Sequence, residues 1–150
     1  MFLRALWISI LFTTFQTNYA GWGFFAQKKI NRLAVFTIPE PELFQFYKYP
    51  IDFIGEHAVD PDTRRYAVQG EAEKHYIDID HFIKDGEDPF LVVPKKWNEA
   101  VEKYSEDTLK KYGISPWNIQ WMLQKLTKAF QEKDLERILK YSAELGHYIG

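Results

Sequence analysis

The chain has 150 residues, 46% of them hydrophobic, with a formal net charge of −2 and no cysteine. That length suits one domain with a real core, and the lack of cysteine excludes a disulfide framework. Near-neutral charge excludes the electrostatic footprint of a protein that grips duplex DNA or an anionic membrane, but not a small phosphate-bearing substrate.

Residues 1–20 read as a targeting segment. Arg4 is its only charge, "ALWISILFTTF" supplies an apolar run too short to span a bilayer, and small and polar residues follow. A secretory signal peptide over residues 1–21 is expected, the other reading being a buried N-terminal helix. Export without disulfides points to a bacterial periplasm or outer surface. Cleavage after Ala20 makes Gly21 the first residue; cleavage after Gly21 makes it Trp22.

Trp22 to Phe36 carries Phe25, Ile30, Leu33 and Ala34 at helical spacing and ends near "TIPEPE", where two prolines break the pattern. "PELFQFYKYP" and "IDFIGEHAV" predict two short helices separated by Pro50. From Asp60 to about Pro94 the periodicity fails. This stretch is rich in Asp, Gly and Pro and holds His75 and His81. An irregular segment of that length inside a domain is usually functional or disordered, and its aromatics argue against disorder.

Helical periodicity returns in "KKWNEAVEKYSEDTLKKYG", which closes at Gly113. "SPWNIQWMLQKLTKAFQEK" opens with Ser115 as N-cap and Pro116 at the first helical position. "KDLERILKYSAELGHYIG" places Leu135, Ile138, Leu139, Ser142, Leu145 and Ile149 along one broad face. No internal repeat is present, which opposes a solenoid. The expected fold is all-α with one long irregular segment. The last helical pattern still runs at Gly150, which suggests a fragment of a longer protein.

Taken singly, His57, His81 and His147 read as surface or packing residues. The group "HYIDID" is richer, bringing His75, Asp78 and Asp80 together, with Asp60 and Asp62 of "VDPDTRRY" as further oxygen donors. Imidazole nitrogen combined with carboxylate oxygen suits zinc. Arg64 and Arg65 could pair with those carboxylates or meet phosphate charge. His147, on the inner face of a helix, would find its next partner on that face at position 151.

With these residues in place, the chain resembles the superfamily of zinc-dependent phospholipase C and the single-strand-specific S-one/P-one type nucleases, closest to its secreted bacterial phospholipase C-like branch. The motifs are Trp22 after a signal peptide, "EHAVDPD", "HYID" and "LGHYIG", and they span residue 22 to the chain's end, the front part of such a protein. The resemblance implies a phospholipase C/nuclease-type helical bundle over residues 22–150. It implies a mature N-terminal Trp22 whose amino nitrogen and carbonyl oxygen bind zinc, which would set cleavage after Gly21. It further implies Asp60, His75 and His147 as zinc ligands, Asp78 as the catalytic residue that orients the attacking water, and Arg64 or Arg65 at the phosphate. Up to three zinc ions in the full-length protein follow from it, with ligands beyond Gly150. One position departs from the pattern: Gln27 stands where the nuclease branch has a zinc-binding histidine.

The implied function is a secreted zinc phosphodiesterase that hydrolyses a phospholipid headgroup or single-stranded nucleic acid, monomeric and without a stable membrane anchor. Two alternatives stand beside it: a non-catalytic exported helical binding module, and a degenerate family member keeping the fold and one structural zinc.

Overall fold

The computed structural model describes residues 23–150. The expected signal segment, its cleavage site and Trp22 lie outside those residues. The described chain is all-α, as the periodicity implies, and no strand occurs among the described residues. None of its helices is long and apolar enough to cross a membrane.

Helix α1 (Gly23–Val35) is followed by α2 (Pro41–Lys48), which starts on a proline whose missing N–H costs nothing in a first turn. Helix α3 (Ile51–Glu56) runs through a 3₁₀ turn (His57–Val59) into the short α4 (Asp60–Arg64). The stretch expected to be irregular therefore begins as helix, with Pro61 buried in its first turn. Further on it contains two 3₁₀ turns (Ala72–His75 and Ile79–His81) and α5 (Pro89–Val92), capped by the Asp88 carboxylate.

The helix expected over 95–113 is divided into α6 (Trp97–Tyr104) and α7 (Glu106–Tyr112). Ser105 takes a positive φ of 67° between them, and its hydroxyl accepts from the Thr108 N–H as the cap of α7. The alternative hydrogen bonding offered by a serine side chain wins over continued helix there. Helix α8 (Ser115–Gln131) and α9 (Leu135–Ile149) follow, the latter capped by Asp134.

Ser115 is not the N-cap of α8; that position falls to Ile114, whose side chain has nothing to offer. The irregular segment serves the exposed donors instead. The Ile114 N–H donates to the Glu73 carbonyl at 2.7 Å and the Ser115 N–H to the Tyr76 carbonyl at 3.1 Å. The Asp78 N–H returns a bond to the Tyr112 carbonyl at 2.7 Å. Gly113, at φ +93°, is required by that docking: a Cβ there would stand 2.1 Å from the Tyr76 oxygen. These bonds pin the segment that carries His75.

Two apolar clusters form the core. One joins Val35, Tyr47, Ile54, Ala129, Ile138 and Ala143 from α1, α2, α3, α8 and α9. The other joins Phe82, Ala100, Leu109, Ile114 and Trp117, around the start of α8. In α9 the buried residues are Ile138, Ala143, Glu144 and His147, whereas Leu135 and Ile149, expected on the inner face, are exposed. Close approach of α1 rotates the buried stripe: the Asn31 amide donates to the Ala143 carbonyl at 2.9 Å and to the Ile54 carbonyl at 3.3 Å. Gly146 makes room, since a Cβ there would lie 2.4 Å from Asn31 Oδ1.

Candidate metal centre

His147 is presented by α9 one turn beyond Ala143, on the stripe that Asn31 and Gly146 fix against α1. His75 ends the 3₁₀ turn that Gly113 and the start of α8 hold in place. Asp62 comes from α4, which packs on α9. Three separate elements thus deliver three donor atoms to one place. His75 Nδ1 and His147 Nε2 are 3.2 Å apart, and Asp62 Oδ1 is 3.7 Å from each. Ligand atoms on a tetrahedral zinc with bonds of about 2.1 Å stand about 3.4 Å from one another. This is the group of acidic and histidine side chains among the described residues whose geometry could hold a metal ion.

The donors also fit a metal chemically. Burial is the main cause that depresses the His75 pKa, to about 4; repulsion from His147 when that ring is protonated and the Arg65 charge add to it, against Asp62 and Glu71. Burial likewise lowers that of His147, opposed by Asp62. Both rings are therefore neutral at pH 7, the form that ligates. The His147 ring is 6% exposed as a residue, while Asp62 is half-buried and marks the side open to solvent. Two nitrogens and one carboxylate would supply three of the four ligands of a tetrahedral zinc from among the described residues.

The cluster brings His75 and His147 together with Asp62, and does not include Asp60. The Asp60 carboxylate bonds His57 Nδ1 at 2.8 Å. Residues two apart on a helix point about 200° away from one another, so one α4 turn aims a single one of the pair at the two histidines. Asp78 is exposed and lies outside the cluster, its backbone held by Tyr112. Gln27 Oε1 is buried without a hydrogen-bond partner, at the end of α1 that faces Gly150. The remaining histidines, His57 and His81, stack on Phe53 and Tyr112.

Arg64 does not stand free. It donates to the buried Glu144 at 2.9 Å and lies 3.5 Å from Glu71; burial would lower its pKa, but the charge and hydrogen bond of Glu144 together with the charge of Glu71 raise it. Arg65 lies over the Tyr66 ring, its charge felt at His75. No pattern of residues singles out Glu71 and Glu144, which are 2% and 5% exposed. Glu71 also accepts from Lys74 at 2.8 Å and from the Tyr148 hydroxyl. Burial would raise its pKa, but the Lys74 and Tyr148 donors and the neighbouring cations hold it below the usual value.

Comparison with family models, curated proteins and solved structures gives no match.

Proposed function

We propose that the protein is a secreted zinc-dependent phosphoester hydrolase of the phospholipase C or single-strand nuclease kind. The observation that supports it most is the convergence of Asp62, His75 and His147 from three elements with no covalent reason to meet. These three would hold the metal, which when bound would polarise a phosphoryl oxygen and lower the pKa of a coordinated water. The protein's part is to keep both imidazoles neutral by burial, to fix their rings on docked backbone, and to leave the Asp62 side open for a phosphodiester. Arg65, whose charge reaches His75, is better placed to meet phosphate than Arg64, which is committed to Glu144 and Glu71.

Hydrolysis of a chromogenic phosphodiester, of phosphatidylcholine and of single-stranded oligonucleotide, with and without zinc, tests the proposal. Zinc-dependent turnover that His75→Ala abolishes is expected. A zinc-loaded protein inert on all three substrates would favour the degenerate alternative, a fold retaining one structural zinc. The commitment of Arg64 to buried carboxylates, and Gln27 in place of a histidine, are what favour that alternative.

A further inference from the structure

His75 directs Nδ1 at the other two donors, which leaves Nε2 on the far edge of the ring. That nitrogen is buried and has no hydrogen-bond partner. A neutral imidazole ligating through Nδ1 carries its proton on Nε2, and a buried N–H without an acceptor costs free energy. Glu71 Oε1 lies 3.8 Å from it.

Glu71 is itself held from three sides. The Tyr148 hydroxyl donates to Oε1, Arg64 approaches the same oxygen at 3.5 Å, and Lys74 binds Oε2 at 2.8 Å. Two of these holders lead back to the helix of the other histidine. Tyr148 follows His147 directly, and Glu144, one turn earlier on α9, anchors Arg64 at 2.9 Å. A carboxylate facing one histidine is thus oriented by the residue adjoining the other.

We propose that Glu71 is a positioning residue of the metal centre: its carboxylate faces the Nε2–H of His75 and fixes Nδ1 as the ligating nitrogen, with Tyr148 and Arg64 holding the carboxylate in place. This rests on the metal-binding reading above. Carboxylates that orient ligating histidines set both ring tautomer and ligand basicity, and their loss typically weakens metal binding about 10- to 100-fold. A Glu71 that serves only to neutralise Arg64 and Lys74 would stabilise the fold and leave the metal's environment alone.

Titration of the full chain with Co2+, read by its visible d–d absorption, separates these roles. The unmodified protein is expected to bind one equivalent. Glu71→Gln should keep that stoichiometry and its helix content, bind about 10- to 100-fold more weakly, and give an altered absorption envelope. Tyr148→Phe, which keeps every charge, should weaken binding less, in the same direction, and carries the test if Glu71→Gln fails to fold. Absence of cobalt binding by the unmodified protein would overturn the metal reading itself. Binding by the unmodified protein that both variants match in affinity and spectrum would overturn the role of Glu71 alone.

Discussion

Two pairs of histidines sit in different surroundings. His75 and His147 face each other across 3.2 Å in the interior with a carboxylate beside them, and burial keeps both rings neutral. His57 and His81 lie toward the surface, each against an aromatic ring, His57 with Asp60 and His81 on Tyr112. Each pair contains one histidine with an aspartate three residues on, His75 with Asp78 and His57 with Asp60. What separates them is enclosure: the inner pair has lost water as a partner and received other donors in exchange, whereas the outer pair keeps it.

The sharpest way to break this contrast is to remove a ring from each pair. His75→Ala or His147→Ala should weaken zinc binding beyond the roughly hundredfold that loss of a supporting partner costs. His57→Ala and His81→Ala should leave the titration unchanged; equal losses in all four would dissolve the distinction.

Next in size is the scaffold beneath His75. Gly113→Ala places a Cβ 2.1 Å from the Tyr76 oxygen at φ +93°, and should cost about 3 kcal/mol in denaturant unfolding, with weaker zinc binding. Asn31→Ala frees the Ile54 and Ala143 carbonyls beneath the other ligand helix and should cost about 2 kcal/mol.

A smaller effect sharpens the contrast through pH. The folded state holds the His75 pKa at about 4, below the usual 6.5, so the unfolded chain takes up a proton first on acidification. The metal-free protein should therefore keep this stability above pH 6.5 and lose it progressively as pH falls toward about 4. Thermal unfolding from pH 7 to pH 4.5 should show the decline, and His75→Gln should flatten it. An unchanged slope in that variant would mean other groups govern acid sensitivity.

The all-α class was legible because apolar periodicity and prolines report local structure directly. His75 and His147 could be picked out as chemistry-bearing, and Asp62 among the oxygen donors near them. The choice between Asp60 and Asp62 was not legible: it depends on α4 being a helical turn, and "DPDTRR" carries too few residues to display a period. Ser105 hid the break between α6 and α7, because both halves are amphipathic and serine is neutral until its hydroxyl finds the Thr108 N–H. Glu71 and Glu144 carried no signal in the sequence, since a buried glutamate is recognisable only once its cation is placed, and Arg64 lies 80 residues from Glu144.

The most direct test of the metal centre is the anomalous diffraction of a zinc-soaked crystal, recorded on both sides of the zinc absorption edge. A single peak among Asp62 Oδ1, His75 Nδ1 and His147 Nε2 is the expected result. A peak held by Asp60 and His57, or none near His75 and His147, would contradict it.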